Sequence, residues 1–186
     1  MTSTSIIKSA LDVLNTEISG IKLVRRTFDS NFVAAIKELS KLKGRVIITG
    51  IGKSGHIANK IASTMSSTGT PAQFCHSNEM SHGDLGILSS KDILIIISNS
   101  GNSSELKDVI SFSKKNKIKT IGISSNNNSE LMQSVNYPLL LPIAFCSKPV
   151  NRNLHFIFEF FPHFFMQERS SKSNCEFTRL FEFRRF

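Results

Sequence analysis

Apolar residues along the first 143 positions follow two spacings in turn. Residues 6–24 and 31–42 repeat them at helical intervals, and the second stretch follows the capping candidates Asp29 and Ser30. Residues 45–50 form a β-branched run that ends in glycine, the pattern of a buried strand. A helix is expected from there to about Ser67, where Gly69-Thr-Pro71 stops it. Residues 72–76 read as a short strand, and residues 92–98, apolar on both faces, as the strongest strand in the chain. A helix over 104–115, a strand over 119–124, a short helix over 129–135 and a strand over 137–142 complete the series. Strands that alternate with helices and are apolar on both faces belong in a parallel sheet covered on both sides. The pattern therefore predicts a three-layer α/β domain.

The pattern changes near residue 144. All ten glycines lie at or before Gly122, whereas eleven of the fifteen phenylalanines lie after residue 143. The last 43 residues keep neither a helical period nor the polarity of a linker. We read them as an atypical Phe-rich tail, the product of a frameshift or altered reading frame that displaced the original C-terminal segment. A C-terminal helix packing its phenylalanines on the core is the plainer alternative.

Composition narrows the class. The chain has 186 residues, 23 Lys+Arg against 14 Asp+Glu, and a formal net charge of +9. That length suits one domain. No stretch reaches the roughly 18–20 apolar residues of a membrane-spanning helix, and the first residues lack the basic-then-apolar order of a signal peptide. Cys75, Cys146 and Cys175 show no metal or redox spacing, as expected in a reducing compartment. A cytoplasmic location is expected, with no membrane partner. The positive charge is spread over both parts of the chain without an aromatic-lined basic stripe, so no nucleic-acid partner is expected. An anionic small molecule accounts for the basic residues equally well.

Two loops at expected strand ends carry the chemistry. Gly50-Ile-Gly52-Lys53-Ser54-Gly55-His56 combines glycines, which admit a ligand close to the backbone, with the free N–H groups of a helix start. Its spacing also fits the G-x-G-x-x-G dinucleotide fingerprint. That reading wants an acidic residue about 20 positions on, where Cys75 stands. A triphosphate-binding P-loop fails too, because its first glycine would fall at Ile47. The second loop, Ser98-Asn99-Ser100-Gly101-Asn102-Ser103-Ser104-Glu105, places four hydroxyls and several amides before a helix, a cradle for a phosphate monoester. The simpler alternative makes Ser103 or Ser104 the N-cap and leaves the rest solvated.

Four motifs occur in order: Gly52-Lys-Ser-Gly-His-Ile57, Ser67-Thr-Gly-Thr-Pro71, His76-Ser-Asn-Glu-Met-Ser-His-Gly-Asp-Leu-Gly86 and Ser98-Asn-Ser-Gly101. Together they resemble the sugar isomerase (SIS) domain of the KpsF/GutQ-type D-arabinose 5-phosphate isomerases, over residues 8–143. The resemblance implies an αβα sandwich around a five-stranded parallel sheet. It implies interconversion of D-ribulose 5-phosphate and D-arabinose 5-phosphate, which leads to Kdo and lipopolysaccharide synthesis. It also implies a homo-oligomer, a tetramer in the family, and a C-terminal pair of CBS modules.

Aldose–ketose isomerisation through an enediol needs a base, an electrophile for the developing oxyanion and a phosphate anchor. By resemblance, Lys53 and Glu105 match residues implicated in catalysis. Lys53 is expected to stabilise charge on the sugar oxygens, and Glu105 to act as acid/base or sugar-hydroxyl partner. Gly52, Ser54, Gly55, Ser98, Asn99, Ser100, Ser103 and His82 are the expected substrate and phosphate contacts. Proton-transfer isomerisation needs no metal and no cofactor, so none is expected beyond inhibitory metal binding at His76 and His82. The family continues after its last strand with a further glutamate and a histidine. Here Pro142-Ile-Ala144 is followed by Phe145-Cys-Ser-Lys-Pro-Val-Asn-Arg152, without counterparts. The expected product is a domain that binds sugar phosphate with little or no turnover. A working isomerase and a non-catalytic phosphosugar-sensing SIS module are the alternatives.

Overall fold

The structure, a computed structural model, describes residues 2–142; the tail over 144–186 lies outside the described residues. Helix α1 (Ser3–Val24) leads through a 3-10 turn (Arg25–Thr27) to α2 (Ser30–Leu39). There follow β1 (Val46–Gly50), α3 (Lys53–Ser67), β2 (Ala72–Phe74) and α4 (Ser77–Ser81). A second 3-10 turn (Asp84–Ile87) precedes β3 (Ile93–Ile97), α5 (Leu106–Lys115), β4 (Lys119–Ser124), α6 (Glu130–Ser134) and β5 (Tyr137–Leu140). All four strand pairings are parallel, in the order β2-β1-β3-β4-β5.

The alternation of side chains across the pleat sorts the isoleucine-rich strands between two cores. Ile48, Ile93, Ile95, Ile97, Ile121 and Ile123 face α2 and α3, meeting Ala35, Leu39, Ile57, Ile61 and Met65. Ile47, Leu94 and Ile96 face the opposite layer, meeting Met80 of α4, Leu106 and Val109 of α5 and Leu131 of α6. Every residue of β1 and of β3 is buried. Each such aliphatic side chain contributes about 1.5–3 kcal/mol on leaving water, which makes the central strands the most stable part of the fold. The three-layer architecture and the five parallel strands are those expected from the sequence.

The differences are local. Helix α1 starts at Ser3, where Thr2 caps it by accepting from the Ser5 N–H. Helix α2 is capped by Asp29, which accepts from Asn31 and Phe32, and ends three residues early. The segment after His76 is not a plain turn-rich loop. It forms α4, because the His76 imidazole accepts from Asn78 N at 3.3 Å and Glu79 sits in the first turn. At the far end of the sheet, buried Asp92 accepts from the backbone N–H groups of Arg45 and Ser89, both at 2.9 Å, and so ties the starts of β1 and β3 together.

Helix α1 buries only Val24. Ile7, Leu11, Leu14, Ile18 and Ile21 are all exposed by 41–61%. No described helix is long and apolar enough to cross a membrane.

Candidate functional site

Between β1 and β3 the chain changes direction across the sheet: it runs from β1 outward to β2, then returns to the other side of β1 to lay down β3. Loops after two such strands diverge and leave a crevice at their carboxyl ends, where open α/β sheets bind ligands. This order is the flavodoxin-like one, not the 3-2-1-4-5-6 order of the dinucleotide-binding fold. A cavity of about 320 Å³ occupies the crevice. It is lined by Ile51 and Ser54 from the β1 side, and by Ser98, Asn99, Ser100, Ser103 and Leu106 from the β3 side.

The β1 side is built on close backbone approach. A Cβ on Gly55 would lie 2.9 Å from the Gly50 carbonyl oxygen, so α3 starts against the end of β1 only because both residues are glycine. Gly52 precedes the helix at φ 55, in the left-handed region, with open space where a side chain would stand. The N–H groups of Gly55 and His56 turn back to Ile51 and Gly52 carbonyls. Those of Lys53 and Ser54 have no partner among the described residues, and face outward at the positive end of the helix dipole. The Lys53 side chain is exposed and likewise unpaired among the described residues.

The β3 side is a braced hydroxyl loop. Ser98 Oγ accepts from Gly101 N at 3.1 Å, and Ser100 Oγ is approached by Asn102 N at 3.4 Å. With one acceptor site occupied, each hydroxyl still has its proton to donate. Neither Ser103 nor Ser104 caps α5: the Leu106 and Lys107 N–H groups go to their backbone carbonyls instead. The capping explanation of these serines is thereby corrected. Ser103 Oγ is left without a partner among the described residues. Ser104 Oγ donates to Glu105 Oε2 at 3.0 Å. The Glu105 carboxyl is held below the usual carboxylate range by hydrogen bonds from its own backbone N–H first and Ser104 second, against a small opposing effect of burial.

The loop after β4 braces the cradle from behind, a part that sequence reasoning did not find. Ser125 N and the hydroxyls of Ser124 and Ser125 all donate to the Asn99 carbonyl. Asn126 Nδ2 donates to Ser100 O, and Asn102 Oδ1 accepts from Glu130 N. The only signal for this was the polar run Ser124-Ser-Asn-Asn-Asn-Ser129 at a strand end.

The cavity thus brings together five expected contacts: Ser54, Ser98, Asn99, Ser100 and Ser103. Gly52 just before α3, Lys53 at its first residue and Glu105 just before α5 do not line it, and Gly55 packs on Gly50. His82 caps the C-terminal end of α4 with an exposed side chain. The donor atoms that converge nearby are those of Cys75, Glu79 and Asp84, within 4.8 Å of one another; neither His76 nor His82 belongs to that group. Burial pushes the Cys75 thiol up from its ordinary value, and the Asp84 and Glu79 charges add to the effect.

A family model described as the SIS domain matches residues 38–144. Arabinose 5-phosphate isomerase KdsD of Francisella tularensis is 43% identical over 151 residues, which are 80% of this chain and 46% of that protein. The Yersinia pestis KdsD is 40% identical over 131 residues, covering 70% of this chain and 40% of its own length. The chain therefore spans less than half the length of these curated relatives. Among solved structures, Escherichia coli CFT073 c3406 in complex with arabinose 5-phosphate superposes with a TM-score of 0.79 at 29% identity, covering 97% of this chain and 99% of that one.

Proposed function

This chain belongs to the SIS-domain family, and on that premise we propose that it binds a five-carbon sugar phosphate of the arabinose 5-phosphate class in the crevice between β1 and β3. The observation that carries the reading is the hydroxyl loop, with Ser98 and Ser100 fixed as acceptors from the backbone and their protons left for phosphate oxygens. The outward N–H groups of Lys53 and Ser54 complete an anion site without any net negative charge in the cavity lining.

Isomerisation is the chemistry of this reading, with the sugar carbons lying toward Lys53 and Glu105. The Lys53 ammonium would stabilise negative charge on the carbonyl oxygen as the enediol forms. Of the two roles expected for Glu105, general base is the weaker, because its carboxyl is depressed rather than raised toward neutrality. A fixed carboxylate suits a hydrogen-bond acceptor for a sugar hydroxyl. The further glutamate and histidine of the resemblance have no counterpart after Ala144, which supports binding with slow turnover.

Proton NMR of D-arabinose 5-phosphate in deuterated water tests both steps. Broadened sugar signals that sharpen when inorganic phosphate is added are expected, with slow loss of the carbon-2 proton signal. Unchanged line widths at millimolar protein would refute binding. Lys53→Ala is expected to abolish the exchange while leaving phosphate-dependent binding, and unchanged exchange would remove Lys53 from the mechanism.

A further inference from the structure

Beside the crevice, and independent of the sugar-phosphate reading, lies a second constellation. Cys75 follows the last residue of β2, Glu79 lies in α4, and Asp84 opens the 3-10 turn that follows. One ligand atom from each lies within 4.8 Å of the other two, the span of a single coordination sphere. Cys75 is only 7% exposed and forms no disulfide. Its thiol has no hydrogen-bond partner among the described residues, and its sulfur lies within 4.8 Å of a carboxylate oxygen of each acid. Neither carboxylate forms an ion pair among the described residues, although the chain carries an excess of cations.

We propose that Cys75, Glu79 and Asp84 form a site for a zinc-like divalent cation, with three protein ligands and an outer position open to water. A sulfur ligand beside two carboxylate oxygens selects a borderline-soft ion over magnesium or calcium, which take oxygen alone. The buried thiol supplies one wall and the exposed carboxylates the mouth, so the ion enters from solvent. On binding, Cys75 gives up its proton to solvent and the thiolate sulfur bonds the metal. This site differs from the expected histidine one: His76 Nδ1 already accepts from Asn78 N at 3.3 Å.

The three ligands come from a strand end, a five-residue helix and a 3-10 turn, so the ion would staple the α4 segment to the sheet. Ser81 of that segment donates to the Glu105 carbonyl at 3.1 Å, which extends the bracing to the start of α5.

Cobalt(II) added to the metal-stripped full-length chain is the probe. A thiolate ligand gives this ion an intense near-ultraviolet charge-transfer band that carboxylates and imidazoles do not. The band is expected in the native chain and in the C146S/C175S double variant, in which Cys75 is the sole thiol. It is expected to vanish in Cys75→Ser. The exposed positions Glu79→Gln and Asp84→Asn, which leave the core untouched, are expected to weaken cobalt binding by about tenfold or more, as losing a ligand costs at least what losing its outer-shell support does. His76→Asn, which keeps a capping side chain, and His82→Asn are expected to retain the band at unchanged affinity. Absence of the band from the native chain or its persistence in Cys75→Ser would overturn the proposal. So would unaltered affinity in both carboxylate variants, or loss of the band in either histidine variant.

Discussion

Replacing Ser98 by alanine separates two roles of one hydroxyl. Its oxygen accepts from Gly101 N at 3.1 Å, and its proton faces the cavity that the proposed function gives to a phosphate. Ser98 is only 6% exposed, so little water reaches the group that replaces it. A hydrogen bond to a charged ligand is worth about 1.5–3 kcal/mol, so affinity for D-arabinose 5-phosphate should fall by roughly 10- to 150-fold. The orphaned Gly101 N–H adds a separate stability cost of about 1–3 kcal/mol, because a buried donor is left unmet. Isothermal titration calorimetry on the folded variant reads the first effect, and urea unfolding followed by circular dichroism reads the second. Inorganic phosphate should lose affinity in parallel with the sugar phosphate, since the hydroxyl is assigned to the phosphate alone. A change of less than about threefold, well below the range that a lost charged hydrogen bond implies, would refute that assignment. So would a loss confined to the sugar phosphate.

Three further outcomes are expected. Asp92→Ala leaves the Arg45 and Ser89 N–H groups without their carboxylate; urea unfolding should show a loss of about 3–6 kcal/mol from two charge-assisted bonds, and a loss under about 1 kcal/mol would contradict the assigned bracing. Gly55→Ala pushes α3 away from the Gly50 carbonyl and should cost about 1–3 kcal/mol, as overpacking does, with calorimetry showing weakened phosphate binding as well. Tyr137 is held above its ordinary value of 10.0 by burial first, then by the charge and hydrogen bond of Glu38. Its hydroxyl thus keeps its proton longer in the folded state, and stability falls as pH rises past that value; the urea midpoint should drop less steeply between pH 9 and 11 in Tyr137→Phe, and identical slopes would disprove the coupling.

The strands were legible because parallel strands buried on both faces are nearly continuous in apolar residues, and Ile93–Ile97 has no other reading. Helices α2 and α3 announced themselves through a cap or a glycine entry. Helix α4 did not, because its cap is the His76 imidazole, whereas α6, equally short, follows the ordinary capping residue Ser129. The hydroxyl loop was found by composition, but the role of its serines depended on where the α5 N–H groups went. They went to the carbonyls of Ser103 and Ser104, a backbone outcome invisible in residue types. The brace from Ser124, Ser125 and Asn126 was missed because it joins loops 25–26 residues apart, which only the sheet order brings together. The Cys75, Glu79 and Asp84 grouping escaped for a related reason: its spacing matches no metal motif until α4 folds.

Where α3 meets the end of β1, atoms that are missing do the work of alignment. Gly50 and Gly55 allow carbonyl and Cα to touch, and that contact aims the Lys53 and Ser54 amides. A saturation scan should therefore find these two glycines among the least replaceable positions of the crevice, although Gly55 does not line the cavity. Exchanges at Ser100 and Ser103 of the opposite loop should alter affinity while the frame survives, whereas Ser98 also holds the Gly101 N–H.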